Sequence, residues 1–182
     1  MVLKAWRLRF ISSRNKERTM DLVTKKVVGV GDFYVTDEAQ EVVVTYSLGS
    51  CVGVTAYDPQ KKVGGLLHFM LPDSILNQEK AAARPAMFGD TGLTSFLNMV
   101  FGLGASRANL VIKLAGGAKP LASTNDFFNI GERNLVLAKR FLWKNGLMVT
   151  REDTGGTDYR TMYLEMETGR VVLKGSQGVW EL

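Results

Sequence analysis

The hydrophobic pattern is densest between Val52 and Leu71. Two runs of apolar, β-branched and small residues, Val52 to Tyr57 and Val63 to Met70, flank a polar stretch that begins Asp58-Pro59. Such runs suit strands. Proline presets φ for the second position of a turn, and aspartate bonds the backbone beyond it. The pattern therefore predicts a β-hairpin. Folding it about the Pro59–Gln60 bond sets Cys51 opposite His68. Cross-strand partners have Cβ atoms roughly 4.5–5.5 Å apart. A slip of one residue would put the two side chains on opposite faces.

The rest of the chain mixes strand and helix periods. Lys25 to Thr36 alternates apolar and small residues, which predicts one or two short strands, with Gly29 and Gly31 permitting a bulge or close approach. Glu41 to Ser47 is a Val- and Thr-rich strand, broken by Leu48-Gly49-Ser50 just before Cys51. Asp73 to Pro85 has no clear period and reads as a mobile loop, either a cover over the hairpin or a plain solvated connector. From Asp90 to Gly104, Leu93, Phe96, Leu97, Val100 and Phe101 form a helical stripe, with Asp90 as the expected cap. Asn109 to Ala115 is a strand. Gly116-Gly117 turns into a polar loop through Asn125. Glu132 to Asn145 is a second helix, with Leu135, Ala138, Phe141 and Leu142 on one face. Leu147 to Asp153 is a strand, and Arg160 to Glu167 pairs with Arg170 to Lys174 about Thr168-Gly169. In the tail, Trp180 is expected against the core. Strands outnumber helices, and hairpins mix with helical crossovers. The expected fold is a single α/β (α+β) domain with two packed sheets, or one bent sheet, and helices outside.

Charge changes the picture little. The net charge is +5 over 182 residues. Residues 1–18 hold six basic side chains and Glu17, which is the whole excess; the remaining 164 residues carry 17 basic and 17 acidic groups. The body thus offers no footprint for a phosphate backbone, and nucleic acid is not an expected partner. The head mixes Trp6, Leu8, Phe10 and Ile11 with its charges, as a transit-like or membrane-surface segment would. It is read here as a poorly ordered basic extension over residues 1–24, with the folded domain over 25–182. No apolar run approaches the roughly 20 residues of a membrane helix, so no membrane insertion is expected.

Cys51 and His68 are the only cysteine and the only histidine. A thiol becomes a nucleophile when a base removes its proton, and an imidazole can do so and return the proton to a leaving amine. The base needs an orienting third group. If the strand runs on past Ser47, even spacing puts Thr45 on the face of Cys51, which makes its hydroxyl the candidate. An oxyanion needs two donors, here the N–H of Cys51 and one from the Gly49-Ser50 turn. Against this stands a plainer reading: a lone cysteine as a small buried hydrophobe and a lone histidine as a structural residue. Metal is not expected, because one Cys and one His without nearby carboxylates cannot close a zinc site. No cofactor is expected either. The Gly-Gly pairs at 64–65, 116–117 and 155–156 lack the Gly-Lys-Ser/Thr of a phosphate loop.

Thr45-Tyr-Ser-Leu-Gly-Ser-Cys51, followed by Gly64-Gly-Leu-Leu-His68-Phe-Met-Leu-Pro72, resembles the signature of the chemoreceptor glutamine deamidase family, CheD. Further blocks agree in order: Lys113 to Ala118, Asn129 to Asn134, and Glu152 to Gly156 with Arg160 and Thr168-Gly169 behind. The resemblance covers about Lys25 to Lys174. It implies a toxin-type cysteine deamidase core of stacked β-sheets flanked by helices. It implies that Cys51, His68 and Thr45 match the catalytic set, and that glutamines on the cytoplasmic helices of methyl-accepting chemoreceptors are converted to glutamate through a Cys thioester. The implied location is the cytoplasm. The implied partners are those receptors and, in many bacteria, the chemotaxis phosphatase CheC. Phe69 and Met70 are candidate substrate contacts, with a core role open for Phe69. A largely non-catalytic module that binds receptor or phosphatase is the alternative.

Overall fold

Among residues 23–119 and 129–182, which the computed structural model describes, ten strands form two mixed five-stranded sheets. The basic head and most of the polar loop expected after Gly117 lie outside the described residues. The strands are β1 (Thr24–Val28), β2 (Asp32–Thr36), β3 (Glu41–Leu48), β4 (Val52–Asp58), β5 (Val63–Phe69), β6 (Val111–Gly116), β7 (Val149–Thr154), β8 (Arg160–Glu165), β9 (Arg170–Gly175) and β10 (Gly178–Glu181). The helices are α1 (Gln78–Ala83), α2 (Gly89–Gly102) and α3 (Ile130–Lys144). One sheet runs β1-β3-β8-β9-β10 and the other β2-β5-β4-β6-β7. The two expected strands before Thr36 thus go to different sheets. No helix among the described residues is long and apolar enough to cross a membrane.

The layers are sheet, sheet, helices. Val52, Val54, Ala56, Leu67 and Phe69 face the helices and pack with Leu93, Phe96, Val100, Ala138 and Leu142. Tyr57, Leu66 and Ala115 face the other way and pack with Val43, Leu48, Met162 and Leu164 of the first sheet. Every residue of β4 and β5 is buried. That explains why their sequences read as continuous apolar runs rather than alternating ones.

The hairpin forms, but in a different register from the expected one. Val52 pairs with Phe69 and Gly53 with His68, so His68 stands opposite Gly53 and not Cys51. The turn has four residues rather than two. Asp58 still opens it: its Oδ1 accepts from the N–H groups of Gln60 and Lys61, and Lys62 N donates to Asp58 O at 2.8 Å. Lys62 closes the turn at φ 58°, a left-handed conformation that is uncommon for lysine and not signalled by its sequence. The shift is two residues, an even number, so Cys51 and His68 keep the same face.

Two other expectations change. Asp73 to Pro85 is not a plain loop. Asp73 caps a 3-10 turn over Ser74–Leu76, its Oδ1 accepting from Ile75 N, and Asn77 caps α1, its Oδ1 accepting from Lys80 N. Both are ordinary capping residues. Asp90 does not cap α2, which starts at Gly89 behind Phe88. Its carboxylate instead accepts from Ser74 N and Ser74 Oγ, in the first turn where negative charge is favoured. Trp180 lies half-buried on β10, and its Nε1 donates to Asp153 Oδ2 at 2.9 Å.

Candidate active site

His68 projects from β5 into the space between the sheets. Its neighbour on β4 is Gly53, and a Cβ there would lie 2.8 Å from Leu48 Cδ1 and 3.0 Å from Met162 Sδ. The missing side chain lets β3 and β8 close down beside the ring. Thr45, fully buried on β3, meets it: Thr45 Oγ1 lies 2.7 Å from His68 Nδ1 and 2.8 Å from Val28 O. A hydroxyl has one proton and Val28 O only accepts, so Thr45 donates to Val28. Thr45 must then accept from Nδ1–H. That fixes the neutral tautomer and leaves Nε2 as a bare lone pair. Nε2 is buried and has no hydrogen-bond partner among the described residues.

Even spacing from Ser47 to Cys51 is not what brings Thr45 here. A bulge interrupts β3 between Thr45 and Leu48, where Ser47 sits at φ 56° and exposed. Thr45 reaches the ring because β3 crosses behind β5.

Cys51 precedes β4 and is half-buried against the inter-sheet core. Its loop is held by its carbonyls. Gly49 O accepts from Ala118 N at 2.7 Å, Ser50 O from Asn134 Nδ2 at 2.9 Å, and Cys51 O from Gly117 N at 2.8 Å. The glycine blocks serve this contact. Gly116 has φ 101°, and a Cβ on it would collide with Cys51 O. A Cβ on Gly131, at the start of α3, would lie 2.6 Å from Gly117 O. Gly49 itself is covered by the ring of Tyr159, 2.6 Å from where a Cβ would stand.

Burial sets the protonation state. The imidazole pKa falls to about 4, because its charged form is desolvated. Burial also raises the Cys51 thiol, partly offset by its own backbone N–H. The resting pair is therefore neutral thiol and neutral imidazole. Among the described residues, no cluster of His, Cys, Asp or Glu suited to a metal surrounds them.

The depressed imidazole pKa makes stability depend on pH. Unfolding restores the ordinary histidine value of 6.5, so between pH 6.5 and about 4 the unfolded chain binds the extra proton. Stability from His68 is complete above that window and falls as the pH drops through it, by roughly 2 kcal/mol between about pH 7 and pH 5. Urea denaturation at the two pH values measures this. A His68→Asn variant is expected to lose that part of the slope.

Phe69 is fully buried in the core under α2 and offers a substrate no surface. Met70 is half-buried beside Met87 and Phe88. Asn134 stands outside the catalytic set expected from the sequence. Its signal was a polar residue in the buried stripe of α3, one turn before Ala138 and two before Leu142.

Known proteins resemble this chain over most of its length. The family described as CheD chemotactic sensory transduction matches residues 70–175. A Syntrophus aciditrophicus protein named "Probable chemoreceptor glutamine deamidase CheD 1" is 46% identical over 152 residues, 84% of this chain and 94% of its own. Proteins named "Probable chemoreceptor glutamine deamidase CheD" are similar too. That of Solibacter usitatus is 41% identical over 148 residues, 81% of this chain and 87% of its own. That of Pyrococcus abyssi is 45% identical over 148 residues, 81% and 89%.

Proposed function

The chain belongs to the CheD family, and from that premise we propose that it deamidates glutamine side chains of chemoreceptors, with Cys51 as nucleophile, His68 as base and acid, and Thr45 as orienter. The observation that carries this reading is the Val28–Thr45–His68 chain. It leaves a basic nitrogen with no partner among the described residues, on the face of the chain's one thiol.

The Cys51 S–H proton passes to Nε2 as sulfur attacks the glutamine amide carbon. Cys51 and His68 share a face but are not hydrogen-bonded to each other, so the transfer requires Sγ to come within reach of Nε2. Backbone N–H groups of the Gly49–Cys51 loop hold the oxyanion. Nε2 gives the proton to the departing nitrogen, the C–N bond breaks, and ammonia leaves a thioester. Water then attacks with its proton taken by Nε2, the C–S bond breaks, and the thiolate recovers that proton. The products are glutamate and ammonia. Thr45 is neutral and stabilises the transient imidazolium less than a carboxylate would. With the thiol raised and the imidazole lowered by burial, proton transfer from sulfur to Nε2 is uphill.

The deamidase domain spans residues 25–182 and acts in the cytoplasm on receptor helices. A CheC-type phosphatase is part of the same proposal, as a competitor for that face. Met70 is retained as a substrate contact and Phe69 is not. The test is a chemoreceptor cytoplasmic fragment incubated with the protein. Particular glutamine-containing peptides are expected to gain about 1 Da without chain cleavage, as hydrolysis of an amide to an acid requires. An unchanged fragment supports a binding module instead, and a cleaved one a peptidase.

A further inference from the structure

The β4–β5 ladder ends at Val52 and Phe69, one pair before Cys51. Beyond it the strands part. The N–H groups of Met70 and Leu71 both turn to Met87 O, at 3.0 Å each. At the fork stands Asn134 of α3, fully buried. Its Nδ2 donates to Ser50 O and to Met70 O, both at 2.9 Å. One amide group thus ties the loop carrying the thiol to the strand carrying the imidazole.

The orientation of that amide follows from its partners. Both are carbonyl oxygens, which only accept, so the NH₂ must face them. Oδ1 is then left buried with no hydrogen-bond partner among the described residues. An unmet buried acceptor is destabilising. The fold carries that cost where it fixes the two backbone groups next to the thiol.

A trans peptide is planar, with its C=O and N–H pointing in opposite directions. Holding Ser50 O toward α3 therefore turns the Cys51 N–H away from α3. Holding Gly49 O toward Ala118 turns the Ser50 N–H away from Ala118 in the same manner. The Cys51 N–H lies near enough to its own sulfur to draw the thiol pKa down.

We propose that Asn134 is a positioning residue for the oxyanion site: by clamping the Ser50 carbonyl it sets the Ser50–Cys51 peptide so that the Cys51 N–H meets the developing negative oxygen. Ala118 N sets the adjoining peptide, which makes Ser50 N–H the second donor. Asn134 touches no substrate atom and acts only through this plane. The proposal rests on Cys51 being the nucleophile.

Deamidation forms an oxyanion and alkylation of the thiol by iodoacetamide does not, so the two rates separate positioning from structure. Asn134→Ala, shown to be folded by thermal denaturation, is expected to lose on the order of 10²–10³ in kcat, the usual effect of removing one such donor, with KM little changed. Its alkylation rate is expected to stay within about threefold of the wild-type level, with the pH profile moved slightly upward as the Cys51 N–H turns from the sulfur. Asn134→Ser keeps one donor and should recover part of kcat; it also serves as the test variant if the alanine protein does not fold. Binding of a glutamine-like aldehyde, whose adduct places oxygen in the same position, should weaken in step with kcat. A folded variant with wild-type kcat overturns the proposal, as does one whose alkylation falls in parallel. Deamidation that survives in Cys51→Ala overturns instead the nucleophile reading beneath it.

Discussion

Cys51→Ala is expected to abolish deamidation, by at least on the order of 10⁴ in kcat/KM, while the protein stays folded and binds its receptor fragment. The two halves of that expectation have separate causes. The thiol is the nucleophile of the reaction; Thr45 Oγ1 donates its proton to Val28 O, and His68 Nε2 is a buried base with a pKa of about 4. Without sulfur the oxyanion donors remain but have no tetrahedral adduct to hold. The fold should survive because Cys51 is only half-buried and its loop is held by carbonyls, not by the side chain. Loss of one sulfur should cost no more than an ordinary partly buried truncation, about 1 kcal/mol. Peptide masses from the receptor fragment report activity, and thermal denaturation reports the fold. A folded Cys51→Ala protein that still converts glutamine would remove the nucleophile from the account.

Thr45→Val is expected to damage both stability and rate, and Thr45→Ser neither by much. Valine matches threonine in shape, so the change isolates the hydroxyl. Two buried groups lose their partner: Val28 O loses its donor and His68 Nδ1–H its acceptor. Each unmet group costs about 1–3 kcal/mol, which gives a destabilisation of about 2–6 kcal/mol. The tautomer is the more specific casualty. With no acceptor at Nδ1 the ring is free to carry its proton on Nε2, where it cannot take one from the thiol. Loss of general-base function should lower kcat by on the order of 10²–10⁴. Serine keeps the oxygen and the same pair of bonds. Denaturant unfolding and kcat of both variants check the pair. A valine variant that is destabilised but retains wild-type kcat would make Thr45 structural only.

The hairpin was legible because β4 and β5 are buried on both faces, which leaves long apolar runs that leave little doubt about the strands. Its register was less so. Asp58-Pro59 marked where the turn opens, but the closing residue is Lys62 in a left-handed conformation, and nothing about lysine announces that. The two-residue error was harmless to the site because it was even, and Cys51 and His68 stayed on one face. Thr45 stands beside the ring for a reason the strand pattern does not carry. Even spacing along β3 fails at the bulge before Leu48, and the real reason is a crossing of two sheets that no local pattern contains. The caps Asp73 and Asn77 were visible residue types without a hydrophobic period behind them, so the short helices they start read as loop. Asn134 was the reverse case. Its place in an apolar stripe was visible, but its partners lie 84 and 64 residues away.

The central claim is that glutamine nitrogen leaves while its carbonyl carbon is bonded to Cys51. Hydroxylamine tests it directly, because a thioester reacts with that amine to give a hydroxamate in place of the acid. Mass spectrometry of the receptor fragment after reaction with hydroxylamine present is expected to show glutamyl hydroxamate at the same positions that otherwise become glutamate, and none with Cys51→Ala. Glutamate forming at an undiminished rate, with no hydroxamate at any hydroxylamine concentration, would contradict it.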